Sequence, residues 1–195
     1  MIAFLTGRFL QKTPAQLLID VQGVGYEVNI SLHTYAGISA MEQGTILTWL
    51  QVKEDGFTLY GFHTPAERSL FLHLISVSGV GAATARMMLS SMKPEEITRA
   101  IVSGDERSLE RIKGIGAKSA KRLILELREK LLKSGTDLPA GDTVSAYNNA
   151  ENDALNALMS LGIARAAAQE ALRKTLKSHP DLGLEELIKL ALQTL

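Results

Sequence analysis

The chain has 195 residues, 46% of them hydrophobic and 22% charged, a globular balance that suits one large domain or two to three small ones. It contains no cysteine, which excludes disulfides and thiolate-held zinc, and its four histidines (His33, His63, His73, His179) are scattered rather than spaced as metal ligands. The formal net charge of +0 hides an uneven distribution: three Lys or Arg against five Asp or Glu from 1 to 62, thirteen against eight from 63 to 133, and five against eight from 134 to 195.

The opening, Met1 to Leu10, is apolar but carries no basic lead-in, and nowhere do about 18 uncharged apolar residues follow one another. A soluble, cytoplasmic protein is expected. Four runs up to residue 62 are rich in branched and aromatic residues and read as strands: Ala15 to Gln22, Tyr26 to Ser31, Thr45 to Val52 and Phe57 to Phe62. Gly23, Gly25, Gly44 and Gly56 punctuate them, and Asp55-Gly56 between two runs marks a hairpin, because glycine accepts the positive φ of a tight turn. Several short antiparallel strands in so few residues suggest a small barrel.

At Thr64 the apolar period changes from two to about 3.6, and Thr64-Pro65-Ala66-Glu67 has the form of a capping box with proline at the first helical position. Leu70, Phe71, Leu74 and Ile75 give that helix its apolar face, and helical patterning continues with interruptions to about Lys133. Residues 134–150 mix Gly, Pro, Ser, Asp and Asn without a period, the composition of a flexible linker. Beyond it, Leu155, Leu158, Met159 and Leu161 precede Gly162, and amphipathic stretches at 165–177 and 184–194 complete a three-helix unit. Leu158, Leu161, Ile163, Leu187, Ile188 and Leu192 are its candidate core, some of them open to a role as a partner patch.

An internal repeat carries the chemistry. Gly79-Val80-Gly81-Ala82-Ala83-Thr84-Ala85 and Gly114-Ile115-Gly116-Ala117-Lys118-Ser119-Ala120 lie 35 positions apart and share the frame Gly-apolar-Gly-x-x-x-Ala. Each follows one apolar-periodic stretch and opens another, so each sits in a short turn between helices. Glycines there let the chain turn tightly and let backbone approach a phosphate, while the helix that follows offers unpaired N–H groups and a positive dipole end. In the second copy Lys118, Lys121 and Arg122 add charge on one helical face. The first copy has no Lys or Arg near its glycines; the nearest is Arg86. Tight packing between helices would account for one isolated copy. Two copies in register, inside the basic segment, favour phosphate binding, and such contacts fix position on DNA without reading sequence.

No GxxxxGK[ST] loop, no complete GxGxxG after a strand and no nucleophile elbow occurs, so neither ATP binding nor catalysis by this chain is expected. A structure-specific nuclease or ligase fragment would need metal-binding carboxylates or a nucleophilic lysine in a motif, and none is visible. A pure protein-binding scaffold stays open as a third reading.

With these residues in view the chain resembles the RuvA family, Holliday junction-binding subunits of bacterial branch-migration complexes, over essentially its whole length. The resemblance rests on Met1-Ile2 with Leu5 and Gly7, on Gly23-Val24-Gly25-Tyr26-Glu27-Val28, on Leu59-Tyr60-Gly61-Phe62, and on the paired helix-hairpin-helix motifs, the linker and the small C-terminal domain. Ala3 departs from the glycine common in the family, and the lysine missing from the first hairpin is a second departure.

The resemblance implies an α+β multidomain chain: an OB-like β-barrel at 1–63, a tandem helix-hairpin-helix domain at 64–133, the linker at 134–150, and a three-helix, UBA-like domain at 151–195. It further implies a homotetramer, one or two per four-way junction, with Gly79, Val80, Gly81, Gly114, Ile115, Gly116, Lys118, Lys121 and Arg122 at the DNA. The RuvB ATPase would dock on 151–195, with the RuvC resolvase as a further partner, and no cofactor of the chain's own is implied. An acidic pin would fall at Glu54 and Asp55. The residues alone favour a solvated Glu-Asp-Gly turn there; the resemblance favours the pin, whose carboxylates would repel phosphates at the crossover.

Overall fold

The computed structural model describes residues 1–54, 56–134, 146–179 and 182–194. By internal contacts the chain divides into two compact units, Met1–Leu138 and Pro139–Leu195.

The first unit opens with five strands, β1 (Phe4–Lys12), β2 (Gln16–Val21), β3 (Val24–Ile30), β4 (Gln43–Lys53) and β5 (Gly56–Phe62), closed into a barrel in the order β1-β2-β3-β5-β4. Helix α1 (Leu32–Ile38) joins β3 to β4. Alternation puts Leu5, Phe9, Leu17, Ile19, Val28, Ile30, Ile46 and Leu59 inside, with Ile38 of α1 among them. The OB-like barrel expected from the resemblance is present, with two differences in detail from the strand pattern. Strand β1 was not legible as a strand, because its register shifts between Phe9 and Gln11 and so breaks the period of two. The pairing is also not antiparallel throughout: Val28, Asn29 and Ile30 of β3 run parallel to Leu59, Tyr60 and Gly61 of β5, since α1 crosses over before β4.

Five helices follow: α2 (Pro65–Ile75), α3 (Ala82–Ser91), α4 (Pro94–Ser103), α5 (Glu106–Glu110) and α6 (Ala117–Ser134). The Thr64 hydroxyl accepts from the Glu67 amide at 3.2 Å, as the capping pattern requires. Only half of the expected box forms, because Glu67 turns away from the cap and into the body of the unit. There, fully buried, it accepts from the Ser31 hydroxyl, from Thr34 Oγ1 at 2.6 Å and from the His63 amide at 3.3 Å. Ser31 in turn caps α1. A buried carboxylate is tolerated because these donors satisfy it.

An aromatic node completes the join between barrel and helices. Phe71 of α2 meets Phe62, Trp49 and Tyr60 at ring-centroid distances of 4.8, 5.4 and 5.5 Å. Contacts of this kind add about 0.5–1.5 kcal/mol each beyond the area they bury. Trp49 and Tyr60 face each other across β4 and β5, so the β4–β5 hairpin itself packs on the helix that leads into the first glycine turn. Arg68 Nε adds a bond to the Thr48 carbonyl of β4 at 3.0 Å.

The second unit contains α7 (Ala146–Ser160), α8 (Arg165–Ser178) and α9 (Leu184–Gln193) around Ala154, Leu155, Leu158, Ala168, Ala171, Leu172, Leu187 and Ala191. Helix α7 takes in 146–150, which composition had assigned to the linker, and α6 runs on through Ser134; residues 135–145 of that linker lie outside the described residues. Leu158 and Leu187 are core, and Ile163 and Ile188 pack partly against it. Leu161 and Leu192 are not: they are 64% and 43% exposed. Leu161 falls after the last turn of α7, where Gly162 at φ +89° reverses the chain and carries it off the helix face.

Candidate nucleic-acid interface

The two glycine repeats fold as one motif used twice. Residues 76–81 join α2 to α3 and residues 111–116 join α5 to α6 with the same sequence of turn conformations. Gly79 and Gly114 take φ of +92° and +94°, the left-handed region that an L side chain rarely adopts. The Val80 amide donates to the Val77 carbonyl and the Ile115 amide to the Ile112 carbonyl, both at 3.0 Å. Ala85 and Ala120 then donate to the carbonyls of Gly81 and Gly116, both at 2.9 Å, which starts each helix.

This geometry sorts the residues read from sequence. Val80 and Ile115 are 4% and 5% exposed, and their amides are occupied within the turns, so they hold the hairpins' shape and present nothing outward. Gly81 and Gly116 differ. Neither takes a positive φ, and a Cβ added at either meets nothing within 4 Å. Neither backbone conformation nor internal packing demands glycine there. The missing side chain leaves open space over a helix start, and Gly81, as N-cap of α3, has no side chain with which to occupy the first-turn amides. Two such starts, each with the helix dipole behind it, are suited to anions.

The three cations that share a face by spacing are not equivalent in place. Lys118 is exposed, in the first turn of α6, and has no ion pair or side-chain hydrogen bond among the described residues. Lys121 Nζ lies 4.0 Å from Glu106 of α5, an exposed pair of little energetic weight. Arg122 Nη1 donates to the Ser78 carbonyl of the other hairpin at 3.1 Å, and its Nε lies 3.4 Å from Glu126. In the first hairpin's helix, Arg86 is turned to the barrel, where Nη1 donates to the Ala15 carbonyl and to Asn29 Oδ1, both at 3.0 Å. Ser90 Oγ of the same helix accepts from the Leu32 amide at 3.1 Å.

The roles of Glu67, Arg86 and Ser90 in tying the helices to the barrel were not legible from sequence. Glu67 showed only its local capping pattern, and nothing in a lone arginine or serine signals a partner many residues away. Asp105, the N-cap of α5, accepts from Ser108 through both carboxylate oxygens, at 3.1 Å from the amide and 2.6 Å from the hydroxyl. Those bonds, the hydroxyl's first, hold its carboxyl below the usual range. In α2, burial and the nearby Lys130 charge lower His73.

Glu54 stands exposed at the tip of the β4–β5 hairpin, beyond the Lys53–Gly56 pair; Asp55 lies outside the described residues. Val52 and Phe57, directly paired across that hairpin, are 65% and 75% exposed. Among the described residues no group of three histidines or carboxylates gathers as a metal site, and no helix is long and apolar enough to cross a membrane.

Comparison with known proteins gives three family-model matches in chain order. They are the RuvA N terminal domain at residues 1–61, a SAM-like helix-hairpin-helix tandem at 71–129 and the RuvA C-terminal domain at 149–195. Curated relatives cover the whole chain and are covered whole by it. The chain is 47% identical to a protein of Christiangramia forsetii, 45% to one of Flavobacterium psychrophilum and 41% to one of Bacteroides fragilis. Each of the three bears the name Holliday junction branch migration complex subunit RuvA.

Proposed function

The chain belongs to the RuvA family, and from that premise we propose that it recognises four-way DNA junctions and guides their strands during ATP-driven branch migration in recombination and repair. The observation that carries this reading is the duplicated hairpin: two helix starts, each behind a glycine that the fold itself does not require. Such a pair grips two neighbouring backbone phosphates of one duplex arm through amides, with Lys118 supplying charge beside the second. Contacts of this kind position DNA and leave its sequence unread, as a junction formed from arbitrary sequence requires.

Four copies around one junction would give each arm one pair of hairpins, in one tetramer or in two facing ones. The β4–β5 tip, with Glu54 and Asp55, would stand at the crossover. There carboxylates repel phosphates and help pass separated strands into the outgoing arms. The β4–β5 strands pack on α2, the helix that enters the first hairpin, which supports a fixed relation between tip and grip. In this reading the chain has no chemistry of its own and needs no cofactor. Force comes from the RuvB ATPase, docked on residues 151–195, where Leu161 and Leu192 offer exposed apolar surface. The RuvC resolvase is a further partner at the same junction, and the setting is the cytoplasm.

A competition gel shift tests the reading, with a synthetic four-way junction against linear duplex of equal length, using wild type and Lys118→Ala at two salt concentrations. Preference for the junction, weakened by salt and by the substitution, is the expected result. Equal affinity for both DNAs would leave a general duplex binder, and no affinity for either would leave a protein scaffold.

A further inference from the structure

Arg122 belongs by spacing with Lys118 and Lys121, yet its guanidinium points at protein. It reaches from the second turn of α6 to the first hairpin, where Nη1 donates to the Ser78 carbonyl at 3.1 Å, one residue before the left-handed Gly79. Its Nε is held 3.4 Å from Glu126, one turn further along the same helix. A second observation places the two hairpins against each other without reference to that side chain. A Cβ added at Gly114, the left-handed glycine of the second turn, would lie 3.9 Å from Thr84 Cγ2 in the first turn of α3.

We infer that Arg122 is a positioning residue: it locks the first hairpin to the helix that leaves the second, so that both helix starts meet one duplex arm at a fixed separation. The inference rests on the reading of the hairpins as a DNA grip, but the lock itself exists before DNA arrives. A planar fork can serve both partners, with Nη1 donating to a carbonyl and Nε 3.4 Å from a carboxylate, whereas a lysine offers a single nitrogen. The tie is not duplicated by the internal repeat. The residue 35 positions earlier is Met87, which is 42% exposed and has nothing to donate. The strut adds a polar tie between two turns that also share one apolar core through Val80, Ala85, Ile115 and Ala120.

The test separates a strut from a phosphate ligand by keeping the charge. In the free, full-length protein the Val80 amide, bonded within the first hairpin, reports that hairpin's opening by hydrogen exchange. Arg122→Lys is expected to speed exchange at Val80 by about tenfold, as loss of one charge-assisted bond implies. Exchange at Val28 in the barrel should be unchanged, and Lys118→Ala should leave Val80 as it is. On a four-way junction, Arg122→Lys should weaken binding while keeping the wild-type dependence of log K on log salt. Lys118→Ala should make that slope shallower by about 0.9 for each subunit on the junction, one phosphate contact per subunit. Unchanged exchange at Val80 in Arg122→Lys would overturn the inference whether or not the protein binds junctions. So would wild-type junction affinity in Arg122→Lys together with a slope shallower by about 0.9 per bound subunit in Arg122→Ala, which would make Arg122 a phosphate ligand.

Discussion

The first hairpin and the second share one turn, with left-handed glycines at φ +92° and +94°, but the helices leaving them differ: α3 has Ala82, Ala83 and Thr84 in its first turn where α6 has Ala117, Lys118 and Ser119. They also differ in what holds them. The first is fastened to the barrel on both sides, by Glu67 from α2 and by Arg86 and Ser90 from α3. The second is packed among α4, α5 and α6 and meets the first through a shared apolar core and through Arg122. Of the two helix starts, only the second carries a lysine in its first turn. In the proposed reading the first hairpin would be the reference that fixes the grip relative to the β4–β5 tip, and the second would supply the cation.

Removing the first hairpin's anchorage should have the largest effect. Glu67→Ala would strand the buried Ser31 and Thr34 hydroxyls and the His63 amide, each a group that burial makes costly to leave unpaired. A loss of about 1–3 kcal/mol in unfolding free energy is expected, read by urea titration, with Glu67→Gln losing less because it keeps an acceptor. Next comes the open space at the helix starts. The Cβ that Gly81→Val or Gly116→Val adds has nothing within 4 Å of it, and neither position requires a positive φ. Each should keep the thermal midpoint near wild type and weaken junction binding about tenfold, ~1.4 kcal/mol, if a phosphate approaches there. Equal losses at the two positions would show both hairpins engaged; a loss at 116 alone would make the first hairpin an anchor only.

Ala83, exposed and 35 positions before Lys118, allows the comparison to be sharpened by addition. Ala83→Lys should steepen the salt dependence of junction binding by about 0.9 for each bound subunit and raise affinity at low salt, giving the first hairpin the second's chemistry. The smallest effect lies at Asp105, whose carboxyl is held low by Ser108 ahead of the second hairpin. A depressed folded-state pKa contributes stability above the ordinary carboxylate range and loses it as pH falls through the lowered value. Asp105→Ala should therefore flatten the acid side of a stability profile and raise exchange at the Ser108 amide, with little change in binding at neutral pH.

Much of this was legible in the sequence because it is local. The 35-residue repeat, the Thr64 cap and the period change that follows it each depend on residues a few positions apart. What stayed hidden depends on distance along the chain. Strand β1 slips register at Phe9 against β2, so alternation alone did not reveal it. The parallel pairing of β3 with β5 follows from the α1 crossover, which no hairpin signal announces. Glu67 showed the pattern of a surface cap and is buried because its acceptor oxygens meet α1. Helical spacing groups Lys118, Lys121 and Arg122, but spacing cannot show that Arg122 donates to the Ser78 carbonyl of the other hairpin. In the second unit the apolar period marked Leu161 and Leu192 as readily as Leu158; a bundle of three short helices is too small to cover them all.

The most direct measurement of the central claim is an amide chemical-shift titration of the full-length protein with a four-way junction. If both hairpins grip an arm through their helix starts, the largest shifts fall in two clusters, Gly81 to Thr84 and Gly116 to Ser119, and grow together as junction is added. Shifts confined to one cluster, or spread elsewhere with both helix starts silent, would contradict the account.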